Sequence, residues 1–281
     1  MLYYFIFSIV VFISSIIGAM AGIGGGVIIR PVLSSFGYFE TAEVTNMIST
    51  ICVFFIAVTS IVRHIISKTK IKDIKISIFL GIGAVIGGLI GQFLFTFVKS
   101  SSNKNVLLIV QSAVLIALLA FVLIYMNIFL PKGKVLHVKN SIVSMIIGIF
   151  LGIASAFLGI GGGPINVAVF LLFFGMDMKQ ASVNSLITII FSQSSKLVTS
   201  AIDGTFATLF AVSSLPSPDN NWWIFMLILV PLSIIGSLTG TYLNKKMSPK
   251  FLSVAFMATT AVIICINIYL IINSSIALTS V

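Results

Sequence analysis

Acidic side chains are scarce in this chain. Of 281 residues only six are Asp or Glu, against sixteen Lys or Arg, and histidine and cysteine occur twice each. Each shortage argues against a class of chemistry. Cys52 and Cys265 stand in apolar segments without CxxC spacing, which reads as small core residues and not as a metal or redox centre. His64 and His137 both fall in basic stretches, so histidine catalysis has little to work with. No carboxylate lies in the middle of an apolar segment, so no carboxylate proton relay is visible. An integral membrane enzyme would need acids, histidines or cysteines converging at one depth, and almost none are offered. No ATP-binding motif is present, so primary pumping would need another chain, and no cofactor is implied.

A polar domain is missing as well. The longest weakly hydrophobic pieces are Arg63 to Lys75, Pro131 to Asn140 and Asp203 to Asn221. What fills the chain instead is 59% hydrophobic residues, with 8% charged and a mean hydropathy of +1.22, which is the composition of an all-α polytopic membrane protein. The net charge of +10 sits in short loops between apolar spans, so it is a topology signal and not a nucleic-acid surface. Ala19-Met20-Ala21 resembles a signal-peptidase site, but no Lys or Arg precedes it and its surroundings recur mid-chain, so the segment is expected to be retained.

Ten apolar segments are expected: Leu2 to Ala21, Val27 to Tyr38, Thr41 to Val62, Ile74 to Val98, Val106 to Leu130, Ser141 to Leu158, Pro164 to Gly175, Ala181 to Ile202, Trp222 to Leu243 and Phe251 to Ile272. The series is a duplication. Gly22-Ile23-Gly24-Gly25-Gly26 recurs as Gly159-Ile160-Gly161-Gly162-Gly163, while Phe36-Gly37 and Asn46 recur as Phe174-Gly175 and Asn184. Residues 1–130 form the first repeat, 131–140 a basic linker and 141–281 the second. Gly87/Gly91 and Gly236/Gly240 are spaced for close helix packing.

Loop cations bear on topology. With ten crossings, Arg63, Lys68, Lys70, Lys72, Lys75, Lys132, Lys134, Lys139, Lys179, Lys245, Lys246 and Lys250 share one side and only Lys99 and Lys104 the other. With eight crossings the division is far more even. The positive-inside pattern therefore favours five segments plus five, inverted, with the linker cytoplasmic. The termini, Tyr3-Tyr4, Trp222-Trp223, Glu40, Glu43, Asp203 and Asp219 would face outward.

Four glycines in five residues break a helix, and a break at membrane depth survives only where protein or a watery cavity satisfies its polar groups. A helix starting after the break presents bare N–H groups, which suits an anion. Neither motif is GxGxxG, since Val27 and Pro164 occupy the last position. These paired motifs, with Pro31, Gly37, Gly175, Asn46 and Asn184, resemble the TauE/SafE family of membrane permeases over nearly the whole chain. The resemblance implies transport of a small sulfur-containing or organic anion, such as sulfite, a sulfonate or a carboxylate, coupled to an ion gradient.

The candidate substrate-binding residues follow. Gly24, Gly25, Gly26, Gly161, Gly162 and Gly163 offer backbone N–H groups, with tight packing around a kink as the alternative. Lys196 stands mid-segment, where a cation needs a cavity, a partner or a route to the interface. Arg30 lies one turn beyond Gly26, able to hold an anion or reach headgroups. Asn46 and Asn184 occupy matching places and serve either substrate or interhelical bonding. Asn166, Ser185, Thr188, Ser192 and Gln193 extend a polar lining, with Ser185, Thr188, Ser192 and Lys196 on one helical face. The expected function is secondary transport of a small anion across a plasma membrane of bacterial type, with a proton or sodium ion as the coupling partner. A channel or uniporter is the alternative.

Overall fold

The computed structural model describes residues 2–35, 42–101, 104–133, 135–204 and 222–279. They form ten α-helices: α1 (Leu2–Ala21), α2 (Gly26–Ser35), α3 (Ala42–Ile66), α4 (Ile74–Ser101), α5 (Lys104–Ile124), α6 (Ser141–Leu158), α7 (Gly163–Phe174), α8 (Met178–Ile202), α9 (Trp222–Lys246) and α10 (Pro249–Thr279). The ten expected segments correspond one to one with these helices. Among the described residues seven helices are long and apolar enough to cross a membrane, while α2, α7 and the described stretch Phe5–Ala21 of α1 are shorter. At 1.5 Å per residue, the ten residues of α2 reach about 15 Å and the twelve of α7 about 18 Å. Phe36, Gly37, Glu40, Lys134 and Asp219 lie outside the described residues, as do the side chains of Tyr3, Tyr4, Glu43, Lys99, Lys104, Trp222 and Trp223.

The two halves interlock. The most extensive packing joins α4 of the N-terminal half to α6 of the C-terminal half, and α1 is joined in the same way to α9. Glycine makes both seams. A methyl group on Gly83, Gly87 or Gly91 would strike Met145 O, Ile149 O or Ile153 O in turn, so α4 and α6 run parallel with backbones nearly touching. Gly236 and Gly240 meet Phe12 O and Ile16 O of α1 in the same manner. In lipid such seams are held by close backbone approach and dispersion, since burying apolar side chains gains little there. The α5–α10 and α3–α8 contacts complete the bundle.

Several hydrogen bonds gather the basic loops at one end. Gln180 Nε2 donates to Lys70 O (3.1 Å), Lys72 N to Gln180 Oε1 (2.9 Å) and Lys179 Nζ to Lys245 O (3.0 Å). Leu136 N and Val138 N donate to Leu172 O (2.9 Å) and Phe173 O (2.7 Å), tying the linker to the end of α7. The end of α3 therefore meets the start of α8, and the two helices run in opposite directions. His64 does not lie in a loop as expected. It occupies the last turns of α3 and is 1% exposed, because α3 continues beyond Val62 to Ile66.

Candidate functional site

Two helix hairpins meet head to head inside the bundle. α1 runs down to Ala21 and α2 returns from Gly26; α6 runs to Leu158 and α7 returns from Gly163. In each turn the chain needs a left-handed backbone, with φ of 76° at Gly25 and 73° at Gly162, which a side chain would strain. The turns touch reciprocally. A methyl group on Gly163 would strike Ile23 O, and one on Gly26 would lie 2.9 Å from Ile160 O and 3.1 Å from Ser49 Oγ. Each short helix thus begins against the other repeat's turn.

The C-terminal carbonyls of α1 and α6 lack intrahelical partners, and side chains from elsewhere supply them. For α1, Asn244 Nδ2 donates to Met20 O (2.6 Å), Ser182 Oγ to Ala21 O (3.1 Å) and Ser185 Oγ to Gly22 O (2.7 Å). For α6, Gln111 Nε2 donates to Phe157 O (2.5 Å) and the Arg30 guanidinium to Leu158 O and to Gln111 Oε1. A cation at a helix C-terminus also suits the helix dipole. Arg30 and Ser185 therefore hold the turns in place. Arg30 lines, in addition, a small cleft between α2, α5 and α10, with Ser34, Gln111, Ser112 and Asn267.

Asn46, which is 6% exposed, brings Oδ1 to the second turn: a methyl group on Gly159 would lie 2.7 Å from that oxygen and 3.3 Å from Arg30 Nε. Asn166 faces Gly162 at 3.0 Å by the same measure, and Gln193 Nε2 faces Gly161 at 2.7 Å. Asn46 Oδ1, Asn166 Oδ1 and Ser49 Oγ are buried without a hydrogen-bond partner. Gly24 instead packs against Val53 and Ile189, and Gly25 against Ser14 O and Ile56.

The remaining residues of the expected lining bond elsewhere. Asn184 accepts from Ser77 Oγ (2.6 Å), and its amide donates to Lys72 O (3.1 Å), Gln180 O (2.9 Å) and Met176 Sδ (3.3 Å) near the basic end. Thr188 Oγ1 donates to Asn184 O (3.3 Å) and Ser192 Oγ to Ile189 O (3.1 Å). Lys196 is half-buried and within electrostatic reach of Arg30. No acidic residue is buried among the described residues.

Sequence reasoning passed over Ser49 and Gln111. Ser49 lies one turn beyond Asn46 on the same face of α3, a signal the spacing carries. Gln111 had no local signal, because its partners are the end of α6 and Arg30.

An all-helical bundle with seven described helices long and apolar enough to cross a membrane and two broken hairpins is that of a polytopic membrane protein. The chain belongs to the TauE/SafE sulfite exporter family, whose model matches residues 7–267. It is similar to a protein of Methanocaldococcus jannaschii described as a probable membrane transporter, with 28% identity over 257 residues and 88% of each chain covered. It is also similar to YunE of Bacillus subtilis, described in the same terms, with 24% identity over 279 residues, 92% of this chain and 94% of that one. No solved structure matches.

Proposed function

We propose that the chain is a secondary transporter that binds a small anion at the crossing of its two glycine turns and exposes it alternately to either side. The observation that carries this reading is the crossing itself. The N-terminal turns of α2 and α7 begin there; Ile28 N and Ile29 N donate to Gly25 O and Asn166 N to Gly162 O, which leaves the N–H groups of Gly26, Val27, Gly163 and Ile165 to face a ligand, and three buried polar atoms beside them have no partner. The amides of Asn46 and Asn166 present Nδ2 to an anion by rotating, and the Ser49 hydroxyl donates directly. Arg30 and Lys196 supply positive charge from nearby, uncompensated by any buried acid among the described residues.

Opposed directions of α3 and α8 support reading the halves as inverted repeats, the arrangement in which a central site is reached from either side by rocking one part against the other. By the positive-inside rule the basic end is cytoplasmic. The family and the donor set favour a sulfur oxyanion, a sulfonate or a small carboxylate. A thermal-shift screen in detergent against sulfite, sulfate, thiosulfate, methanesulfonate and acetate tests this. At least one anion should stabilise the native protein, and Asn46→Ala with Asn166→Ala should abolish that shift. Stabilisation that survives both substitutions would move the site away from the crossing.

A further inference from the structure

Seven buried side-chain polar atoms among the described residues have no hydrogen-bond partner, and five of them belong to α3: Asn46 Oδ1, Ser49 Oγ, Ser60 Oγ and both ring nitrogens of His64. Leaving a buried polar atom unmet costs about 1–3 kcal/mol, so a concentration on one helix marks groups that meet water or a ligand. At 100° per residue, Asn46, Ser49, Val53, Ala57, Ser60 and His64 fall within an arc of about 80°. One face of α3 is therefore polar at both ends and closed in the middle, where Val53 and Ala57 pack with Leu186 and Ile189.

The upper group belongs to the glycine crossing. The lower group has a counterpart on α9, where Thr241 Oγ1 is buried and also unpartnered. Thr241 and Lys245 stand one turn apart, on a different face from the Gly236 and Gly240 that pack on α1. Lys245 lies within electrostatic reach of His64. Lys245 of α9 acts on His64, Arg63 acts in turn on Lys245, and Lys179 of α8 donates to Lys245 O. α1 carries no charge, and the one charge of α2, Arg30, sits at the crossing.

We propose that His64, with Ser60 and Thr241, forms a hydrated station between the glycine crossing and the basic end, and that a proton bound there accompanies the anion. This rests on the crossing being the anion site. A neutral imidazole has one N–H and one free lone pair. Among cations alone it has nothing to favour a second proton. An anion that has moved from the crossing into this layer compensates those cations, and the lone-pair nitrogen then takes a proton from the aqueous basic end. When the anion leaves, the N–H bond breaks and the proton returns to water.

Proton uptake by purified protein in weakly buffered detergent solution, followed with a pH dye on adding sulfate, thiosulfate or methanesulfonate, tests the coupling alongside the thermal shift. The native protein should take up close to one proton at saturation with the anion that stabilises it. His64→Gln should lose the uptake and, because proton and anion binding are linked, need at least about tenfold more anion to reach the midpoint while still being stabilised at saturation, and His137→Gln should behave as the native protein. Uptake that persists in His64→Gln, or stabilisation without uptake in the native protein, overturns the station and leaves the anion site standing. Failure of every anion both to stabilise and to drive uptake overturns both. Should His64→Gln not fold, the single ¹⁵N-imidazole signal of His137→Gln must change on adding the stabilising anion; an unchanged signal rejects the station.

Discussion

Asn46 and Asn184 occupy matching positions in the two repeats and have diverged in what they touch. Asn184 is saturated: Ser77 donates to its oxygen and its amide reaches the Lys72 loop, Gln180 and Met176. Asn46 leaves Oδ1 without a partner, facing Gly159 beside Arg30. One duplicated residue has become a clasp that fixes the start of α8 to the α3–α4 loop, and the other stays open at the crossing. The same contrast runs along the helices. At the 138-residue spacing that relates Asn46 to Asn184, Ser60 and His64 on α3 correspond to Val198 and Ile202 on α8, so the Ser60 and His64 end of the polar face has no polar equivalent there. Read as repeats, the two halves share a frame whose polar groups differ between its sides.

The sharpest way to break the comparison is to fill the crossing. Gly163→Val places side-chain atoms on Ile23 O, and should abolish anion stabilisation while costing about 3 kcal/mol or more of fold stability, read by detergent unfolding. Next, Asn184→Ala should destabilise the protein by about 2 kcal/mol, since its bonds to Ser77 of α4 and to the loop residues Lys72 and Met176 go at once, with the anion midpoint unchanged in the folded fraction. Asn46→Ala should do the reverse: stability within about 0.5 kcal/mol and a clear loss of anion stabilisation. Equal behaviour of the two variants would show that the asymmetry of contacts has no functional consequence. Arg30→Lys should cost about 1–2 kcal/mol, because an ammonium cannot span Leu158 O and Gln111 Oε1 as the planar guanidinium does. The smallest effect separates neighbouring glycines of α4. Gly87→Ala strikes Ile149 O and should destabilise, whereas Gly88→Ala meets only Ser195 Oγ at 3.5 Å and should be neutral or stabilising by about 0.5–1 kcal/mol, measured in the same assay.

Much of the frame was legible in one dimension. Apolar runs between charges delimit all ten helices, since a membrane-spanning helix must satisfy its backbone internally and so declares its length in hydrophobic residues. The glycine motifs mark both breaks, and Gly87, Gly91, Gly236 and Gly240 mark both close seams. The candidate site was legible only in part. Asn46, Asn166 and the turn glycines converge, yet Ser185, Thr188, Ser192 and Asn184, which share the sequence character of a polar lining, are spent on carbonyls of α1, on their own helix and on the neighbouring loop. A hydroxyl or amide does not announce in sequence whether its partner is backbone or ligand.

The sequence by itself determined the class, the duplication, the helix lengths and the places where helices break, because each follows from local hydropathy and backbone conformational preference. Tertiary structure alone decided that the halves interlock through α4–α6 and α1–α9, that Arg30 and Gln111 close the end of α6, and that His64 is buried. Those outcomes depend on which helix faces approach across separations such as the 128 residues between Arg30 and Leu158. Packing selects such partners through shape and hydrogen-bond satisfaction, and neither property is carried by a single stretch of chain.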